Sequence, residues 1–217
     1  MDTFIFFQYT MNMNTNIILA EDEKKPETSQ QDALAEKFLK TRQVILSGEV
    51  SHESAEKVIK QLLLLEADND KPIYLYIDSP GGSIDDGFGI YDIIRFINAP
   101  VYTIGTGLIA SMGAMILLSV PKERRLALPN SHYLIHQPLI GGTYRGVATD
   151  LEIQAVEIAK SKEKIVQIIA EETGKSIEQV TADTDRDCWL TADEALAYGL
   201  VSKVISRRAE LVELAEK

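Results

Sequence analysis

A serine, a histidine and an aspartate occur in that order along the 217-residue chain, each in a setting where its side chain could react. Ser111 lies in Gly-Leu-Ile-Ala-Ser-Met-Gly-Ala, between a strand-like stretch and an apolar helix-like stretch. His136 ends an apolar stretch before Gln-Pro, and Asp187 closes the sequence Asp-Thr-Asp-Arg-Asp. A serine activated by a histidine base that an acid orients can perform acyl transfer.

Each of these residues also has an ordinary structural explanation. Ser111 could merely cap the helix that follows it, because serine is common at that position. His136 could be a hydrogen-bonded structural histidine. The acidic run could be a solvated turn, and within it Asp185 is a second candidate for the orienting acid.

A pair of glycines supplies a candidate binding site for the negative charge that develops in acyl transfer. Ser79-Pro80-Gly81-Gly82-Ser83 follows a strand-like stretch, and the N–H groups of such a turn can bind a developing negative charge. It could equally be a simple turn before a helix that Ser83 caps, and it lacks the lysine of a Walker phosphate loop. With the three side chains above, it completes the set of parts that acyl transfer needs.

Alternating helix-like and strand-like stretches must position these residues, which predicts an α/β domain. Apolar patterning predicts strands at 44–46, 73–77, 101–104, 133–136 and 200–205, and helices at 33–39, 51–65, 84–97 and 147–172. Ser51 is a predicted N-cap of the second helix, and Gly174 is predicted to end the longest one. Ser176 with Gln179, and Thr191 with Glu194, predict the starts of two more short helices.

Composition excludes several classes of protein. The chain is 45% hydrophobic and 25% charged, as in soluble globular proteins. Its net charge of −11 argues against a nucleic-acid or anionic-lipid surface. A lone Cys188 fits a reducing compartment, and three histidines leave little material for a metal centre. Residues 98–121 carry no charge, but their glycines favour a buried strand and helix over a membrane span.

Four motifs in a similar order and spacing resemble the ClpP family, the proteolytic subunits of Clp proteases. The motifs are Ser79–Ser83, Ala110–Gly113, Ile135–Pro138 and Asp183–Asp187, and the resemblance covers about residues 32–206. It implies the ClpP/crotonase-like α/β fold of repeated strand-turn-helix units, with a protruding strand-helix handle.

The resemblance also implies a role for each site residue. Ser111 would be the nucleophile, His136 its general base and acid, and Asp187 the group that holds the imidazole. The backbone N–H groups of Gly81 and Met112 would form the oxyanion hole. This chemistry needs no metal or organic cofactor.

Assembly and partners follow from the same resemblance. Subunits would stack as two seven-membered rings, with Asp185 and Arg186 in the contact between rings. An AAA+ Clp unfoldase of the ClpX, ClpA or ClpC type would consume ATP and deliver unfolded polypeptides, in cytoplasmic protein quality control. Residues 1–31 would form a mobile arm at the axial pore, 32–206 the peptidase domain, and 207–217 a polar tail.

The chain departs from the family pattern in the longer loop Ile140–Gly146, and it is two residues longer than usual between His136 and Asp187. Ile109 stands where the family commonly has a small residue, and the N-terminal arm is long. These departures suggest a divergent paralogue, suited to mixed rings. Two alternatives stay open: a catalytically silent ring subunit that supports an active paralogue, and a crotonase-type enzyme acting on acyl-CoA.

Overall fold

The computed structural model describes residues 30–139 and 146–215, and the described part alternates helices and strands as the sequence predicts. Its strands are β1 (Gln43–Ser47), β2 (Ile73–Ser79), β3 (Val101–Ala110), β4 (Arg125–Ala127), β5 (His132–Ile135), β6 (Cys188–Thr191) and β7 (Lys203–Val204). Its helices are α1 (Gln30–Leu39), α2 (His52–Asp68), α3 (Ile84–Phe96), α4 (Met112–Leu117), α5 (Ala148–Thr173), α6 (Ile177–Thr184), α7 (Ala192–Tyr198) and α8 (Arg208–Ala215). The predicted α/β class is confirmed.

The described strands form one sheet that divides at β3. The main path has the order β1-β2-β3-β4-β7, and all its pairs are parallel. Residues 103–105 of β3 pair with β4, whereas residues 108–110 pair in parallel with β5. β6 then adds to β5 in the antiparallel direction. The long β3 strand therefore joins the main sheet to a smaller β5–β6 extension.

Alternation along the strands explains the two apolar cores. In β2, Ile73, Leu75 and Ile77 are fully buried in the larger core, which also includes residues of α2, α3, α4 and α5. Tyr74 and Tyr76 point to the opposite face and pack against the smaller core. Successive strand residues face opposite sides of a sheet, so both faces are covered.

Predicted helix signals coincide with observed caps. The side chains of Ser51, Ser83, Ser176 and Thr191 each accept a hydrogen bond from a backbone N–H in the first turn of α2, α3, α6 and α7. Gly174 ends α5 in the left-handed conformation with φ +75°. These local predictions are confirmed because they depend only on neighbouring residues.

The carboxyl-terminal region differs from its prediction. Residues 207–217 were expected to be a polar tail, but they contain α8. Leu211 of α8 is buried in the smaller core, and the Tyr102 hydroxyl donates to the Leu214 carbonyl at 3.3 Å. The strand expected at 200–205 is reduced to the two residues of β7. Strands β4 and β6 were not predicted.

The helical half of the expected handle is α5. Its buried residues, Ile165, Val166, Ile169 and Ala170, all lie in its last third, so its first half projects away from the core. The preceding part of the handle, at residues 140–145, lies outside the described residues, as does almost all of the expected arm at 1–31. In the described chain, no helix is both long and apolar enough to cross a membrane. Residues 98–121 supply β3 and α4, as predicted.

Candidate active site

Four chain segments meet at one edge of the sheet. β2, β3 and β5 are parallel neighbours, so their carboxyl ends lie together. Ser79 ends β2, Ser111 follows β3, and His136 follows β5. Since β6 is antiparallel to β5, its amino end, preceded by Asp187, lies at the same edge. Residues far apart in sequence therefore come together here through the strand order.

Ser111 has a strained backbone at the junction of β3 and α4. Its φ and ψ angles are 55° and −122°, a conformation that rarely suits a residue with a side chain and costs about 1–3 kcal/mol. Its N–H donates to the Leu134 carbonyl at 2.9 Å, which fixes it against β5. The Ser111 side chain makes no capping hydrogen bond to α4. Ser111 occupies the N-cap position of α4, but its hydroxyl does not cap the helix, so capping does not explain why a serine stands there.

The glycine turn lies directly against this serine. Gly81 has φ +90°, and a Cβ added to it would lie 2.6 Å from the Ser111 Cβ and 2.9 Å from the Met112 nitrogen. Both distances are far below van der Waals contact, so only glycine allows this approach. The turn after β2 thus faces the first backbone N–H of α4, as expected of a site for a developing anion.

The backbone N–H groups near Ser111 differ in their partners. The Gly81 N–H donates to the Ser79 hydroxyl at 3.1 Å. The Met112 N–H opens α4 and has no acceptor within the helix. Gly82, which the sequence places in the same turn but without a role of its own, lines the same cavity as Ser111. The double glycine was the only sign of it in the sequence, and that pattern does not say which of the two faces the nucleophile.

Ser111 and His136 line one cavity of about 230 Å³. Most of the remaining wall is apolar: Pro80, Ile84, Met112, Met115, Ile135, Pro138, Leu139, Ile165 and Ile169. The cavity therefore combines two reactive side chains with space for an apolar group. Such a mixture is typical of sites that bind an organic ligand in one orientation.

His136 and Asp187 occupy facing positions just beyond the β5–β6 ladder. The last pair of the ladder is Ile135 with Cys188, so the next residue of each strand is His136 and Asp187. The Asp187 side chain is exposed. No hydrogen bond joins His136 to Ser111 or to Asp187 in the described residues. The three side chains thus share one edge of the sheet, without the closed hydrogen-bond relay of an aligned triad.

The other acids of the run have different surroundings. Asp183 accepts hydrogen bonds from Tyr198 at 2.8 Å and from Gln179 at 2.7 Å, so it is held at the α6–α7 side. The exposed Asp185 carboxylate lies 3.8 Å from the Arg186 Nε. By strand register, Asp187 is the acid that faces His136.

Other chemistries find less support near this edge. Burial, with the negative charges of Asp183 and Glu194, raises the pKa of the Cys188 thiol. A protonated thiol is a weak nucleophile, so Cys188 does not compete with Ser111. Among residues 30–139 and 146–215, no three His, Cys, Asp or Glu side chains are grouped to hold a metal ion.

Comparisons with known proteins agree with this architecture. The sequence profile of the Clp protease family matches residues 25–208. The ATP-dependent Clp protease proteolytic subunit 2 of Treponema denticola is 57% identical over 88% of this chain and 96% of its own. Subunit 3 of Rhizobium meliloti is 46% identical over 88% and 97%. A solved structure of a ClpP1 mutant from Listeria monocytogenes aligns with a TM-score of 0.76 and 46% identity, covering 82% of this chain and 99% of its own.

Proposed function

This chain belongs to the Clp protease family and is a serine-type peptidase subunit, and we propose that its catalytic triad is Ser111, His136 and Asp187. The observation that carries this assignment is the strained Ser111 backbone beside His136 in one cavity. Strain of this kind persists where a hydroxyl must be presented at a strand-to-helix turn, as in other serine hydrolases.

In the proposed reaction, the Ser111 hydroxyl attacks a peptide carbonyl while His136 takes its proton. The tetrahedral intermediate collapses, His136 gives the proton to the leaving amine, and the C–N bond breaks. A water molecule then attacks the acyl-enzyme with His136 again as base, which releases the acid product and restores the serine. Asp187 would hold the imidazole and stabilise its charged form.

The oxyanion would be bound by the Met112 N–H and by the glycine turn. The Gly81 N–H must leave the Ser79 hydroxyl to take part. Gly82 lines the cavity, so its N–H is the second candidate donor. Removing one such donor typically slows acyl transfer by roughly 100- to 1,000-fold.

The apolar wall of the cavity supports a substrate class. Met115, Ile165 and Ile169 line the same cavity as Ser111 and offer no charged partner. We expect them to receive an apolar side chain next to the scissile bond. Apolar side chains are exposed when a polypeptide is unfolded, which fits unfolded chains as the substrate.

Membership of the family implies assembly into proteolytic rings. The finer proposals are two stacked heptamers, with Asp185 and Arg186 at the contact between rings, and an AAA+ Clp unfoldase as the ATP-consuming partner. The side chains of Asp185 and Arg186 are 59% and 92% exposed, which leaves them available for such a contact. We further propose that this chain needs no cofactor of its own and works in the cytoplasm.

Hydrolysis of a fluorogenic peptide by the assembled protein tests the proposal. Ser111→Ala should abolish turnover while ring assembly, measured by light scattering, is unchanged. The control is Ser202→Ala, which removes a serine hydroxyl bonded to the Arg125 carbonyl away from the cavity. Turnover that survives in Ser111→Ala would refute the assignment.

One observation favours a second candidate, a catalytically silent ring subunit. No hydrogen bond links the three triad side chains in the described part of the chain, and the Asp187 side chain is exposed. A silent subunit would form rings, yet its own Ser111 would not be labelled by a fluorophosphonate, either alone or in rings with an active paralogue. Reaction in mixed rings alone would assign activity to the mixed assembly.

A further inference from the structure

Gln137, the residue after His136, is bonded to three different places. Its backbone N–H donates to the Thr184 carbonyl at 2.8 Å, and its side-chain Nε2 donates to the Asp185 carbonyl at 2.8 Å. Its side-chain oxygen accepts from the Lys162 ammonium at 2.8 Å. One residue thus joins the end of β5, the end of α6 and the middle of α5.

We propose that Gln137 and Lys162 are positioning residues, which hold the segment carrying His136 against the segment carrying Asp187. This inference rests on the proposed triad. The two residues are here called the clamp. Neither touches the reacting atoms, and both act through the side chains that do.

The partners of the clamp fix the orientation of its amide. A lysine ammonium can only donate, and a backbone carbonyl can only accept. The Gln137 oxygen must therefore face Lys162, and its NH₂ group must face Asp185. A flipped amide would lose both bonds, so the side chain has one favoured orientation. It can therefore fix how far the segment after β5 lies from the end of α6.

The location of the clamp indicates that it controls the separation of the segments carrying His136 and Asp187. Thr184 and Asp185 lie three and two residues before Asp187, and Gln137 adjoins His136 in sequence. Thr184 is fully buried and its hydroxyl is bonded to the Val180 carbonyl, so the clamp is tied to a fixed point. Because His136 and Asp187 are not bonded to each other, the backbone around them must set their separation.

Lys162 connects the clamp to the cavity wall. It lies on α5 one turn before Ile165, and residues three apart on a helix share a face. Ile165 and Ile169 line the cavity that holds Ser111. The same helix therefore contacts the substrate space and, through Lys162, the residue next to the base.

The experiment compares four variants in assembled protein, by peptide hydrolysis and by the rate of fluorophosphonate labelling. Lys162→Met removes the bond to α5, and Gln137→Glu keeps a partner for Lys162 but cannot donate to the Asp185 carbonyl. Each should lower kcat by roughly 10- to 100-fold with KM changed less than about threefold, because small misplacement of catalytic groups has effects of this size.

Two further variants separate positioning from general damage. Lys162→Arg keeps a cationic donor and should recover most of the lost rate. Lys160→Met is the matched control, since Lys160 lies on the same helix but pairs with Glu157 at the surface. It should leave kcat unchanged.

The outcomes distinguish this inference from the proposed function. If Lys162→Met and Gln137→Glu keep full kcat while Ser111→Ala is inactive, the clamp is refuted and the triad stands. The clamp is also refuted if KM and thermal stability change but kcat does not, or if Lys162→Arg is as slow as Lys162→Met. If Ser111→Ala still reacts with the probe, the proposed triad itself fails.

Discussion

The two halves of the candidate site are built in different ways. The half with the proposed nucleophile, here called the nucleophile half, is formed by backbone: Ser111 is held in a strained conformation, bonded to Leu134, and contacted by Gly81 with no room for a side chain. The half that carries His136 and Asp187 lies beyond the ends of two short strands. There the Asp187 side chain is exposed, and no described hydrogen bond links it to His136.

This difference indicates where regulation of the rate can occur. A backbone-built nucleophile changes little without unfolding of the core. The segments that carry the proposed base and acid are held instead by side-chain contacts, such as those of Gln137. Catalytic contacts often tighten only when substrate binds. We therefore expect substitutions near Ser111 to displace its hydroxyl. Substitutions near His136 and Asp187 should instead change how these two side chains are oriented toward it.

Apart from the loss of Ser111 itself, the largest effect is expected from the acid. Asp187→Asn should lower kcat by about 10⁴-fold, because an amide leaves the imidazole in the wrong tautomer and its charged form unsupported. Asp185→Asn should change kcat less than about threefold, since that carboxylate lies beside Arg186 rather than His136. Steady-state hydrolysis by assembled protein measures both. In variants whose rings are intact by light scattering, equal losses would contradict the assignment of the acid, and a larger loss in Asp185→Asn would reverse it.

A smaller effect is expected from a methyl group at the glycine turn. Gly81→Ala should lower kcat by roughly 100-fold, because its Cβ would press on the Ser111 Cβ and displace the nucleophile. Gly48→Ala is the control: its φ of +84° is close to the +90° of Gly81, but nothing lies within 4 Å of its added Cβ. That variant should lose about 1 kcal/mol of stability and keep its kcat. Similar kcat values in the two variants would contradict a backbone-built nucleophile.

The smallest effect concerns Tyr133, a fully buried residue of β5 that pairs with β3. Burial raises the pKa of Tyr133 to about 12, although its bond with Ser131 opposes the shift. A tyrosine in the unfolded chain ionises near pH 10, so the folded state binds the proton more tightly. The stability from this phenol is full below pH 10 and is lost as pH rises through 12.

Denaturant unfolding between pH 9 and pH 11 checks this sign. Wild-type protein should lose about 1 kcal/mol more stability over that range than Tyr133→Phe, which has no phenol to ionise. Tyr133→Phe should be the less stable protein at pH 9, because it leaves the Ser131 hydroxyl without that partner. If both proteins lose stability equally, Tyr133 does not titrate differently on folding.

Sequence predicts the nucleophile half better than the other half. The small residues around Ser111, the double glycine and the capping serines are local signals, and their structures follow from local sterics and hydrogen bonds. Strand β6 was missed because its four residues alternate between partly buried and exposed positions and find their register only through β5. Helix α8 was missed because its eight residues mix charged and apolar side chains, and Leu211 becomes buried only by packing in the smaller core.

Some features of the site had no signal in the sequence. Gly81 and Gly82 are adjacent and chemically identical, so only their placement shows which one lines the cavity. The contacts of Gln137 join residues 25 and 48 positions away, and such pairs depend on the assembled fold. The resting separation of His136 and Asp187 likewise depends on how α6 meets β5.

Mapping the adduct of a fluorophosphonate on the assembled protein tests the central claim most directly. The account predicts one adduct per reactive subunit, located by mass spectrometry on the peptide that contains Ser111 and lost in Ser111→Ala. It also predicts that labelling slows in His136→Ala, because the hydroxyl then lacks its base. An adduct on any other residue, or labelling that persists without the Ser111 hydroxyl, would contradict the account.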